Sequence, residues 1–177
     1  SGQDGNQDAV VSVVPDTAIV FVDDNFEEAV RGQIAKPTEE VLPSDVNLVT
    51  SLDSTGKPDI ADLGGIEYMT SLQTVILRGN EIDDLSPLRG LVNVLELYLS
   101  SNQIVDLSPL TDMNQLTTLS LTYNEIENLT PLQHLTDIRN LWINHNPVSD
   151  LSPLQGLERL AELDISNTNV RDLSGLA

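Results

Sequence analysis

From Leu72 onward the hydrophobic positions recur every 22 residues. The chain reads LQTVILRGNEIDDLSPLRGLVN, VLELYLSSNQIVDLSPLTDMNQ, LTTLSLTYNEIENLTPLQHLTD, IRNLWINHNPVSDLSPLQGLER and a shortened LAELDISNTNVRDLSGLA. Each unit opens with a stretch of period two. In the first, Val75 and Leu77 face one way and Thr74, Ile76 and Arg78 the other, as a short strand requires. An Asn-x-Ile step follows, then Asp-Leu-Ser-Pro-Leu-x-x-Leu. Ser86, Ser108, Thr130 and Ser152 each precede a proline. That order places an N-cap residue ahead of Pro at a first helical position, so each return arm is predicted to hold one 3₁₀ or α turn.

One such unit cannot bury its apolar face alone, so neighbours must stack. A period in the twenties with Leu-x-x-Leu-x-Leu-x-x-Asn-x-Ile marks a leucine-rich repeat. The expected fold is an α/β, right-handed solenoid with a parallel concave sheet and short turns on the convex side. Ile60, Leu63 and Ile66 lie 22 residues ahead of Ile82, Leu85 and Leu88. This extends the periodic body back to Leu52 as a degenerate first repeat, without Asn at its turn and with one extra residue near Pro58-Asp59. Residues 52–177 then comprise one degenerate, four full and one truncated repeat.

The preface follows other periods. Residues 1–9 are polar and glycine-rich and are expected to be a disordered lead or a tag remnant. Residues 10–51 are expected to form an N-terminal strand and helical cap. VVSVVPDTAIVFV is β-branched and predicts one or two short strands broken by Pro15. DDNFEEAVRGQIAK predicts a helix capped by Asp24 or Asn25 and ended by Pro37, with Phe26, Val30 and Ile34 as an i, i+4 stripe. A second short helix is predicted to start at Ser44, with Pro43 as an extended lead-in.

These features resemble the internalin family of bacterial surface proteins. The 22-residue repeat with its NxIxDLSPLxGL arm carries the likeness, together with the preface FVDDNFEEAVRGQIAKPTEE…SDVNLVTSLD beside it. The repeat alone is shared with eukaryotic regulators of protein phosphatase; the cap tilts the resemblance to the bacterial group. It implies an exported protein, secreted or at the cell surface, that holds a protein ligand on its concave sheet. The chain departs from the pattern at Thr168, where the column expects Asn.

Composition narrows the chemistry. Eight basic against 28 acidic residues give a net charge of −20, and there is no cysteine. Nucleic acid is not an expected partner, because phosphate binding needs a basic stripe. Disulfides and thiol chemistry are absent, and no apolar run has the roughly 18 residues that cross a bilayer. The two histidines, His134 and His145, form no Ser-His-Asp, glycine-loop or His-x-x-x-His pattern, so no enzyme, metal or cofactor is expected.

Three sets of residues are candidates for a role. The ladder Asn80, Asn102, Asn124, Asn146 and Thr168 is expected to be structural, pairing backbone groups of adjacent coils. A column of Asp62, Asp84, Asp106, Asp150 and Asp172, interrupted by Asn128, is expected to cap the turns before Ser-Pro; calcium bridging is the alternative. The functional candidates lie on the concave face. Only six residues are aromatic, and Tyr98, Tyr123 and Trp142 fall on or beside the outward strand positions. Tyr98 and Trp142 share a column with Ile76, Ser120 and Asp164; Tyr123 shares one with Gly79, Ser101, His145 and Asn167. Outward aromatics either anchor a ligand or merely stiffen the sheet, and recognition is the expected role. Ile76, Arg78, Glu96, Asn144 and His145 complete the predicted site. A protein ligand is expected, a glycan or a structural spacer role being the alternatives, with the chain itself monomeric.

Overall fold

Six parallel strands, one per coil, form a single sheet in sequence order, and the computed structural model describes residues 16–176 of the chain. They are β1 (Ser51–Asp53), β2 (Thr74–Ile76), β3 (Glu96–Tyr98), β4 (Thr118–Ser120), β5 (Asn140–Trp142) and β6 (Glu162–Asp164). From β2 onward the register advances by 22 residues per coil, as the sequence period requires. Between β1 and β2 it advances by 23, Leu52 lying beside Val75. The extra residue is taken up in the turn before Ile60, where Gly56 and Asp59 hold positive φ. The fold is the expected right-handed leucine-rich repeat solenoid.

Strands β1 to β5 bury their central residue and turn their flanks to the concave side, and Leu163 in β6 is half-buried. Val75, Leu97, Leu119 and Leu141 are wholly buried, and Leu77, Leu99, Leu121 and Ile143 follow them into the core. The return arms add 3₁₀ turns at Ser86–Leu88, Ser108–Leu110, Thr130–Leu132 and Ser152–Leu154. The residue ahead of the proline does not cap them. Its own N–H is instead satisfied by the acidic column: Ser86 N donates to Asp84 Oδ1 at 2.8 Å, and Ser108, Ser152 and Ser174 repeat the bond to Asp106, Asp150 and Asp172. Thr130 N does the same to Asn128 at 2.9 Å, so a neutral amide serves equally. The cap is the side chain two residues back, because Ser or Thr already sits at the first residue of the turn.

The asparagine ladder binds one coil to the next. Asn102 Oδ1 accepts from Ile82 N at 3.1 Å, while its amide donates to Leu77 O and Leu99 O, both at 3.0 Å. Asn124 and Asn146 repeat the set one and two coils on. Asn80 bonds Ile60 N and Leu77 O, then meets the Ser54 hydroxyl at 3.3 Å. Buried Ser54 lies in the first coil at the register position of Leu77, and its hydroxyl also donates to Ile76 O. Thr168 keeps one bond of this kind, to Ile165 O at 2.7 Å.

The preface packs on the first coil with four differences from its predicted form. Helix α1 (Asp24–Ile34) is capped by Asp23, whose Oδ1 accepts from Phe26 N at 2.9 Å. Ala35 in the left-handed conformation ends it, two residues before Pro37. Helix α2 (Pro43–Val46) starts at Pro43 itself, its first turn held by Leu42 N donating to Asp45 Oδ2 at 2.7 Å; Ser44 bonds Asp16 instead. Residues 16–22 form no strand. Ile19 N donates to Val41 O, Ile19 is buried, and Phe21 meets Phe26 edge-on at 5.9 Å. Phe21 also lies where a Cβ on Gly65 would stand, 2.7 Å away, and Gly65 has φ 107°, so both constraints select glycine. The remainder of the predicted strand and the predicted lead lie outside the described residues.

Candidate functional site

The strand register places the outward residues in straight rows across the sheet. One row runs Asp53, Ile76, Tyr98, Ser120, Trp142, Asp164. Tyr98 and Trp142 are therefore two strands apart, about 10 Å at ordinary sheet spacing, with the small, nearly buried Ser120 between them. Ser120 is held low by a 2.6 Å hydroxyl bond to Ser100.

Each ring is fixed by a carboxylate. Tyr98 donates its phenol hydrogen to Glu96 Oε2 at 3.3 Å, and the Arg78 guanidinium lies 5.5 Å from its ring centroid. Burial raises the Tyr98 hydroxyl above its usual range, and the Glu96 charge and hydrogen bond add to the rise. Trp142 donates Nε1 to Glu162 Oε1 at 3.0 Å, and Asn140 donates to the other oxygen of the same carboxylate at 3.0 Å. Glu162 is one coil on and two residues back from the indole, a diagonal neighbour within reach of a long side chain.

A second line follows the turn at the end of each strand. Gly79, Ser101, Tyr123, His145 and Asn167 all have positive φ, between 55° and 72°. The ladder requires it, since the chain must reverse there before the buried Asn or Thr. Tyr123 lies flat on His145, with centroids 3.9 Å apart and planes 13° from parallel. Asn167 continues the line, its amide 3.0 Å from His145 Nε2. Asn144 accepts from the Thr122 hydroxyl at 2.6 Å. Asp164 is held below the usual carboxylate range by the Ser166 backbone N–H and hydroxyl, with a smaller contribution from His145.

The structure thus gathers the predicted residues into two lines about one strand length wide. Ile76, Glu96, Tyr98 and Trp142 belong to the sheet, Tyr123 and His145 to its turn margin, and Arg78 and Asn144 lie between them. Glu162, Asn140, Asn167 and Thr122 were not predicted as site residues. Glu162 is visible as an outward charge, but its bond to Trp142 depends on a diagonal that the column alignment does not display. A cavity of about 570 Å³ opens elsewhere, beside α1, lined by Glu28, Arg31, Ala35 and Lys57. Its cations are engaged, Arg31 by Glu27 and Lys57 by Glu28.

The chain matches the family Leucine Rich repeats (2 copies) over residues 92–134 and 136–177. The crystal structure of an internalin, InlF from Listeria monocytogenes strain 4b F2365, superposes with a TM-score of 0.86 at 30% identity over 92% of this chain. The chain is an internalin-like bacterial leucine-rich repeat protein. It spans about half of the InlF chain, 49%. A leucine-rich repeat protein of Leptospira interrogans is similar at 29% identity and a TM-score of 0.57, over 60% of this chain and 28% of that one. The functional domain of Listeria monocytogenes InlJ shares the fold, with a TM-score of 0.65 at 23% identity over 90% of this chain and 41% of that one. That domain includes a cysteine ladder; this internalin-like chain has no cysteine and carries its ladder in asparagine. No curated protein matches the chain by sequence. Among the described residues no helix is long and apolar enough to cross a membrane. A fold of this type serves protein–protein interaction through an extended curved surface.

Proposed function

We propose that this internalin-like chain is the recognition segment of an exported bacterial protein and holds a protein ligand on its concave sheet. The aromatic residues in the turn column carry the reading. Left-handed backbone costs an L-residue roughly 1–2 kcal/mol and suits glycine or asparagine, yet this column holds Tyr123, 54% exposed, with His145 beside it. Neither ring fills the core. Their placement at strained positions outside the core, Tyr123 exposed and His145 half-buried, fits selection for a surface rather than for stability.

In this reading Tyr98, Tyr123 and Trp142 are the apolar anchors. Ile76 extends the apolar row, and Arg78, Glu96, Asn144 and His145 set its polarity. The rings are already oriented by Glu96, Glu162 and His145, so little side-chain entropy is lost on docking. The chain acts as a monomer and catalyses nothing.

The test is binding of the wild type and a Tyr98→Ala/Tyr123→Ala/Trp142→Ala variant to a panel of extracellular proteins and glycans, with both folds checked by thermal melting. Loss of a protein ligand by the folded variant supports the reading. Competition by free saccharide assigns the face to glycans instead. Binding unchanged in the variant removes these anchors and moves recognition to another surface, and binding by neither protein leaves the spacer role.

A further inference from the structure

The two aromatic anchors of the central row differ in their charge environment, and the difference indicates what the partner brings. Tyr98 has its cation in place. Arg78 covers its ring, Glu96 accepts from its hydroxyl, and Asp53 has its carboxyl held low by Thr55 with a smaller contribution from Arg78. The cation on the aromatic face is thus already supplied within the chain at this end of the row.

Two strands on, Trp142 has the carboxylates without the cation. Glu162 bonds its indole N–H from one side, and Asp164 is its neighbour in the row. Neither carboxylate is in an ion pair among the described residues, whose pairs are Arg31–Glu27, Lys36–Asp45, Lys57–Glu28 and Arg159–Asp137. The other partners of the two carboxylates are uncharged: Asn140 bonds the second Glu162 oxygen and Ser166 N–H bonds Asp164. The nearest cations along the chain are Arg139, exposed one residue ahead of β5, and His145 in the turn column. Arg139 forms no ion pair with either carboxylate, and His145 is engaged by Tyr123 and Asn167.

Resting on the concave-face reading above, we propose that the protein partner sets a basic side chain, arginine in particular, on the Trp142 ring between Glu162 and Asp164. A guanidinium stacks flat on an indole and reaches a carboxylate through its fork, which an ammonium does less well. The −20 charge of the whole chain attracts such a partner at long range. Tyr98 then receives an uncharged part of the same surface, because Arg78 already holds its face.

A random dodecapeptide display library selected on the full chain tests this, with the triple-alanine variant as counter-selection. Trp142 is the sole tryptophan, so its fluorescence reports occupancy directly. The expected peptides carry a required arginine or lysine. Replacing it with citrulline or norleucine, or changing the protein by Glu162→Gln and Asp164→Asn, weakens binding about tenfold or more. Glu162→Gln keeps an oxygen for the indole N–H, so ring orientation survives. Peptides that need Tyr98 and Trp142 but tolerate citrulline and norleucine overturn the basic-residue proposal and leave concave recognition standing. Peptides indifferent to the triple variant overturn both.

Discussion

Tyr123 and His145 are stacked with ring centroids 3.9 Å apart, and both hold left-handed backbone at φ 56°. Two opposing energies meet in this pair. The turn disfavours each L-residue by roughly 1–2 kcal/mol, and an aromatic stack returns about 0.5–1.5 kcal/mol. Ser101 has the same conformation, φ 60°, with an exposed side chain and no stack. Ser101→Gly is therefore expected to stabilise the chain by about 0.5–1 kcal/mol, the gain reduced by the freedom glycine adds to the unfolded chain. Tyr123→Gly is expected to stay within about 1 kcal/mol of wild type, relief and lost stacking nearly cancelling. Urea unfolding of both variants checks this; a large loss in Tyr123→Gly would show that the ring supports the fold more than the surface.

The buried ladder responds in the opposite way. Asn102→Ala removes one acceptor and two donors and leaves Ile82 N, Leu77 O and Leu99 O without that partner. At about 1–3 kcal/mol for each buried group left unpaired, partly relieved by water, the expected cost is about 3–5 kcal/mol. Asn102→Asp is expected to be no better, since a carboxylate cannot donate to either carbonyl. Thr168→Ala breaks one bond at the half-buried last coil and should cost about 1 kcal/mol. Equal losses in Asn102→Ala and Thr168→Ala would contradict the ladder account.

How far the sequence discloses this arrangement depends on whether a residue's role is set within its own repeat. The 22-residue period places Tyr98, Ser120 and Trp142 in one row because parallel stacking turns equal repeat position into adjacency. The left-handed column is less legible. Gly79 and Asn167 advertise it, whereas Ser101, Tyr123 and His145 do not. Two features escape altogether because they join different repeats or elements at unequal positions. Glu162 reaches Trp142 diagonally, and Ser54, just past a strand whose register is offset by one residue, offers its hydroxyl to the Asn80 amide.

The acidic column sets an acid limit on stability. Hydrogen bonds from the Ser86 and Ser108 hydroxyls, then their backbone N–H groups, hold Asp84 and Asp106 below the usual 3.8; on Asp84 the Asp106 charge pushes upward and is outweighed. At Asp150 and Asp172 the backbone bond leads and the hydroxyl follows. A carboxylate depressed in the folded state contributes stability that is complete above its unfolded value and is lost as pH falls through the folded one. The loss is therefore expected below about pH 4. Asn128 already shows that an amide accepts the same N–H. An Asp84→Asn/Asp106→Asn/Asp150→Asn/Asp172→Asn variant should fold and lose less stability than wild type between about pH 5 and pH 2. Parallel acid curves for the two proteins would show that the column does not set this limit.

Asp23 joins the preface to the first coil. One oxygen accepts from Phe26 N as the cap of α1; the other accepts from Ala61 N at 2.7 Å and Asp62 N at 3.3 Å. Burial pushes this carboxyl up, and the bonds from Ala61, Phe26, Asp62 and Asn25 outweigh it and hold it below 3.8. Asp23→Ala loses both functions and is expected to cost about 1–2 kcal/mol, the usual range for a lost cap. Asp23→Ser separates them, because a hydroxyl can accept from Phe26 N but is too short to reach Ala61 as well. Amide hydrogen exchange reads the two ends independently: in Asp23→Ser the Phe26 amide should stay protected while Ala61 exchanges faster, and in Asp23→Ala both should speed up. Unchanged Ala61 protection in both variants would mean that Phe21, Phe26 and Val30 hold the preface by apolar packing alone.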